Sequence, residues 1–121
     1  MTPEALRDCA IEALEDRKGQ KILALDVRRL TSIADIMVIV SGTSNRHVKA
    51  LVDSVVEAAT AAGCKPIGVE GLETNEWVLV DLGDVLVHVM QAEPRAHYDL
   101  ERLWSEAAPG AAAPSGTEAR V

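Results

Sequence analysis

Residues 77–89 read WVLVDLGDVLVHV: two apolar, β-branched runs of strand length around a glycine, with Asp81 and Asp84 on either side of it. This spacing predicts a β-hairpin with strands at 77–81 and 85–90 and a two-residue turn at Leu82-Gly83. Upstream, Ile36 to Val40 (IMVIV) is a second β-branched run, uninterrupted enough for a strand covered on both faces. Lys21 to Asp26 (KILALD) and Lys65 to Glu70 complete the strand set, the latter with Pro66 near its start, which suits a strand beginning or a sheet edge.

Helices fill the intervals. Thr2-Pro3-Glu4 is a helix start, with a hydroxyl cap, a proline that loses no hydrogen bond in the first turn, and an acid at the positive end of the dipole. Leu6, Cys9, Ala10, Ala13 and Leu14 then recur at helical spacing until Lys18-Gly19. Ser41-Gly42-Thr43-Ser44-Asn45 turns the chain into a second helix with one stripe of Val48, Leu51, Val52, Val55, Val56 and Ala59, ending at Gly63. Pro94 is expected to open a last helix, with Ala96, Leu100, Leu103, Trp104 and Ala107 on its apolar side. The predicted order is α-β-β-α-β-β-β-α. This is an α/β chain with a mixed sheet of about five strands flanked by helices. Residues 1–107 form the expected domain, and 108–121, poor in large apolar groups, are expected to be a disordered Pro/Gly/Ala-rich tail.

Composition narrows the function classes. A chain of 121 residues is one domain by length. No apolar run approaches the roughly 20 residues of a membrane-spanning helix, and the N-terminus lacks the pattern of a secretory signal, so a cytoplasmic protein without membrane contact is expected. Cys9 and Cys64 read as buried small hydrophobes. With His47, His88 and His97 they form no metal-ligand spacing, and neither metal nor cofactor is expected.

The formal net charge of −7 is unevenly spread. Residues 1–69 hold nine acids and nine bases, whereas 70–106 hold nine acids against Arg95 and Arg102 alone. Trp77, Tyr98 and Trp104, the only aromatics, lie in that acidic segment. Phosphate contacts require Lys and Arg, so direct binding of DNA or other nucleic acid by this segment is disfavoured. Aromatic anchors beside acids suit an interface with a basic protein surface, and the competing reading puts Trp77 and Trp104 in the core with the acids merely solvating the surface.

Catalytic equipment is harder to find. The SGTSN turn offers backbone N–H groups to an anion, yet it has neither the GxxxxGK[ST] nor the GxGxxG pattern, and helix capping by Ser44 or Asn45 explains it as well. A nucleotidyltransferase would follow such a turn with two carboxylates on alternate strand positions to hold a metal. Here a long helix with isolated Asp53 and Glu57 follows, and Asp81 and Asp84 sit three apart across a turn. Asp26 and Asp35 read as caps for the loop Val27 to Ala34, and His88 as a hydrogen-bonded sheet histidine rather than a base. A non-enzymatic protein is expected, with a nucleotide-binding, nucleotidyltransferase-like protein as the alternative.

The runs ADIMVIVSGTSNRHVKAL (34–51), GLETNEWVLVDLGDVLVHVM (71–90) and YDLERLW (98–104) together resemble the ribosomal silencing factor, or Iojap-like, family. The resemblance spans about residues 3–107. It implies a mixed α/β domain similar to nucleotidyltransferases but without their catalytic carboxylates. It also implies binding to the large ribosomal subunit through ribosomal protein number fourteen on the intersubunit face, which blocks joining of the small subunit and represses translation when nutrients are short. A homodimer is implied for the free state. Carried onto this chain, the motif residues of the second half are Gly71, Trp77, Asp81, Gly83, Asp84, His88, Tyr98, Asp99, Leu100 and Trp104. Expected contacts with the partner are Trp77 as anchor, Glu76, Asp81 and Asp84 facing its Lys and Arg, and Tyr98 and Asp99 beside them. Ile36-Met37 stands where the family is more often aromatic, and Glu93-Pro94 lacks a longer polar approach, differences that read as packing variation.

Overall fold

A computed structural model describes residues 1–100 and 102. The element order is α1 (Pro3–Asp16), β1 (Gln20–Asp26), β2 (Ile36–Gly42), α2 (Asn45–Ala61), β3 (Gly68–Glu70), β4 (Trp77–Asp81), β5 (Val85–Gln91) and α3 (Ala92–Tyr98). The five strands form one mixed sheet in the order β1-β2-β5-β4-β3. Only the β2/β5 pair is parallel; β1/β2, β4/β5 and β3/β4 are antiparallel. After α2 the chain runs to the far edge and returns inward, so β5 is inserted beside β2 at the centre.

Alternation along each strand sorts side chains between two faces. Ile36, Val38, Val40, Val78, Val80, Val85, Val87 and Val89 pack under α1 and α2 with Leu6, Leu14, Val48, Leu51 and Val55 in the principal core. Met37, Ile39 and Met90 point the other way and form a second cluster with Val27 and Leu100, against which Leu25, Leu30 and Trp77 pack. Because both faces are occupied at β2, all seven of its residues are buried. The unbroken apolar run of the sequence therefore marks a strand enclosed on both sides.

The helix starts follow their capping chemistry. Thr2 accepts from the Ala5 N–H at 3.0 Å with Pro3 in the first turn, and Ser44 accepts from the His47 N–H at 3.1 Å. Other boundaries differ from the sequence expectation. The third strand is confined to Gly68–Glu70, at the sheet edge. The hairpin turn is closed by the Leu82 N–H on the Val85 carbonyl at 3.0 Å, so its central residues are Gly83 and Asp84. Leu82 is drawn into the core at 4% exposure, leaving glycine, at φ +92°, and aspartate to make the bend. The last helix begins at Ala92, two residues before Pro94, and ends where Asp99 adopts a left-handed conformation (φ 53°, ψ 48°). Leu103, Trp104, Ala107 and the expected tail lie outside the described residues. Cys9 and Cys64 are free and half-buried.

Candidate docking surface

The two helices leave the opposite sheet face partly open, and the hairpin register decides what that face presents. Trp77 pairs with Met90, Leu79 with His88 and Asp81 with Leu86. Trp77, Leu79 and Asp81 on β4 therefore share one face with Leu86, His88 and Met90 on β5. Trp77 is half-buried, and its Nε1–H donates to His88 Nδ1 at 2.9 Å. On the sheet side its ring meets the imidazole at a centroid separation of 5.9 Å; it also meets Tyr98 of α3 at 4.8 Å, tilted by 46°. Such tilted aromatic contacts are attractive beyond the area they cover. Tyr98 remains 55% exposed, so β4 and α3 join in a partly exposed aromatic ledge.

The carboxylates are placed differently. Asp81 is half-buried and accepts the Gly83 N–H through Oδ1 at 2.9 Å, which stiffens the turn. Asp84 is exposed, and its backbone carbonyl accepts from the N–H groups of Asp35 and Ile36, at 2.8 and 3.1 Å. Glu76 is exposed beside Trp77, and Asp99 lies 3.9 Å from the exposed Arg102 guanidinium. Among the described residues, no ion pair engages Glu76, Asp81 or Asp84. The structure thus joins Trp77 to Tyr98 directly, puts Asp81 on the Trp77 face but at the other end of β4, and leaves Glu76 next to Trp77 in the chain, Asp84 at the hairpin tip and Asp99 at the end of α3.

His88 occupies the floor of this region at 5% exposure, and burial pushes its pKa down to about 4. Since the Trp77 indole can only donate, His88 Nδ1 must be the acceptor and Nε2 carries the proton. The sheet-histidine reading holds, with a partner that hairpin register makes accessible. Beside His88 the face opens into a groove of about 560 Å³, bounded by Val27, Thr31, Ile33 and Ala34 on the β1–β2 side and by Glu70, Leu79 and Leu86 on the other.

The SGTSN turn is internally consumed. Ser41 Oγ accepts from the buried Arg95 Nη1 at 2.9 Å, the Thr43 N–H donates to His47 Nδ1 at 2.9 Å, and Ser44 caps α2. His47 Nε2 in turn reaches the Arg17 carbonyl at 2.8 Å, tying the end of α1 to the start of α2. Neither the Ser41–Arg95 bond nor the His47 bridge is signalled by local sequence. Asp26 caps the Arg28 N–H at 3.0 Å as expected, and Arg28 gathers Glu4, Asp26 and Asp35 around itself. Among the described residues, no group of three or more His, Cys, Asp or Glu is placed to hold a metal ion.

The family model described as ribosomal silencing factor during starvation matches residues 1–120. The chain belongs to the ribosomal silencing factor family. A ribosomal silencing factor of Chromobacterium violaceum is 48% identical over 118 residues, covering 94% of this chain and 97% of the relative. One of Haemophilus influenzae is 43% identical, covering 84% and 99%. A crystal structure of a Chromobacterium violaceum protein, 46% identical, superposes with a TM-score of 0.85 and covers 98% of each chain. Membership makes this chain a translation-regulating protein. No helix among its described residues is long and apolar enough to cross a membrane.

Proposed function

We propose that the chain represses translation in the cytoplasm as a steric, non-enzymatic factor. It docks on the large ribosomal subunit through ribosomal protein number fourteen and occupies the intersubunit face, so that the small subunit cannot join. The observation that carries this reading is the set of exposed or half-buried acids, Glu76 next to the half-buried Trp77 and Asp81 and Asp84 at the far end of the same hairpin, without ion-pair partners among the described residues. Carboxylates held without internal cations are repelled by RNA phosphate and attracted to a Lys/Arg-rich protein patch. Trp77, supported from below by His88 and from the side by Tyr98, supplies a pre-positioned apolar anchor at low entropic cost. Asp99, at the end of α3 and 3.9 Å from Arg102, adds a further acid on that side.

The test is co-sedimentation with separated ribosomal subunits. Trp77→Ala combined with Asp81→Lys and Asp84→Lys should abolish association with large subunits while circular dichroism remains that of the parent. Undiminished binding by that folded variant overturns the reading. The exposed Tyr98 favours pairing with a second copy in the free state. Light scattering should then report a dimer that dissociates when large subunits are added.

A further inference from the structure

The groove beside the ledge has an unusual floor: His88 Nε2 is buried without a hydrogen-bond partner. The bond from Trp77 places the proton on this nitrogen, so the unsatisfied group is a donor, and it calls for an oxygen. A buried donor without an acceptor is destabilising, a penalty that a bound acceptor removes. The surrounding walls are apolar: Val27, Ala34, Met37, Leu79 and Leu86. Ile33 stands at the rim at 75% exposure, and Glu70 lines the opposite rim.

These features define the occupant. The walls and Ile33 require an aliphatic group, and the lone N–H requires a neutral carbonyl oxygen. From Glu70 to Pro94 the chain holds six acids and no Lys or Arg, which disfavours a carboxylate and favours flanking cations. A backbone carbonyl next to an aliphatic side chain in a basic segment meets all three requirements. We propose that the groove receives an aliphatic side chain from a loop of the basic protein partner, and that a main-chain carbonyl of that loop accepts from His88 Nε2–H. This rests on the reading of the acidic face as a docking surface. Nε2 itself is covered, so the carbonyl reaches it only when a neighbouring lining side chain shifts. His88 then acts as a specificity-determining residue, rewarding a segment that presents its carbonyl at the right depth.

Two measurements on the full chain with purified large subunits test this. A photocrosslinking amino acid at the exposed Ile33 is expected to join a basic ribosomal protein, within a segment containing an aliphatic residue. Leu79→Trp, which fills the groove from the sheet, is expected to weaken co-sedimentation at least tenfold; His88→Phe, which removes the donor, should do so by about fivefold. Crosslinks to ribosomal RNA or to a second copy, no crosslink despite intact co-sedimentation, or undiminished binding by folded Leu79→Trp or folded His88→Phe overturns the groove proposal while leaving the docking reading standing. Failure of the parent chain to co-sediment removes both.

Discussion

Trp77 Nε1–H donates to His88 Nδ1 across the β4–β5 hairpin at 2.9 Å, and this bond sets the protonation state of the histidine. An imidazolium would place an N–H on Nδ1 against the indole N–H, donor against donor. Burial acts in the same direction, holding the pKa at about 4 against an ordinary value near 6.5.

Stability should therefore depend on acid in a specific window. Above about pH 6.5, folded and unfolded states both carry neutral His88. As pH falls toward 4 the unfolded chain takes up a proton that the folded chain refuses, and stability is lost across that interval; below about 4 this contribution levels off. Between pH 7.5 and 4.5 the loss is on the order of 2 to 3 kcal/mol. His88→Gln, whose amide oxygen can still accept from Trp77, should lack this component. Chemical denaturation of both proteins at the two pH values isolates it, since the other titrating groups are shared.

Gly71 lies beside the same tryptophan at φ +101°, and a Cβ there would stand 2.2 Å from the Trp77 carbonyl oxygen. The clash is with backbone, which cannot swing away, and the left-handed conformation adds strain to any L side chain. Gly71→Ala should lose roughly 2 to 4 kcal/mol of stability. It should also weaken docking beyond that loss, because the strand start that presents Trp77 must shift. Denaturant midpoints and co-sedimentation of the folded fraction measure the two effects separately.

Ser44 provides a test of whether the SGTSN turn serves structure or ligand. Its side chain caps α2 through the His47 N–H, while Thr43 and Ser41 are engaged with His47 and Arg95. Ser44→Ala should cost about 1 kcal/mol, a drop of roughly 3 to 6 °C in melting temperature. Ser44→Gly should cost only a few tenths of that energy unit. Calorimetry with nucleoside triphosphate and magnesium should show no binding to the parent chain; tight metal-dependent binding would revive the nucleotidyltransferase alternative.

Most of this architecture was legible because local and long-range signals agree. The hairpin strands fall where β-branched residues alternate around a glycine, and IMVIV is buried throughout because it lies between the helices and the second cluster. Boundaries were misread where tertiary burial overrides local preference. Leu82 looked like a turn residue beside glycine, but its side chain is worth more in the core than in the bend. Pro94 looked like a first helical residue, yet it fits equally within the first turn of a helix begun at Ala92. Of the expected surface, the sequence carries the residue types, and the hairpin register aligns Trp77 diagonally with His88. The groove was not legible, because its far wall comes from the loop Val27 to Ala34, which meets β4 only through the sheet order.

Asp99 combines two roles that substitution can separate. Its left-handed backbone ends α3 after Tyr98, and its carboxylate adds an acid on that side. Aspartate tolerates this conformation better than most residues, but glycine adopts it without penalty. Asp99→Gly should thus hold or raise the melting temperature, whereas Asp99→Ala should lower stability by about 1 kcal/mol. If the carboxylate contributes to docking, both variants lose affinity for large subunits by a similar factor, and raising salt narrows their difference from the parent as the charge contribution is screened. Loss confined to Asp99→Ala would instead assign Asp99 to the positioning of Tyr98 alone. Melting curves and co-sedimentation at two ionic strengths, run on the three proteins side by side, decide between charge and geometry.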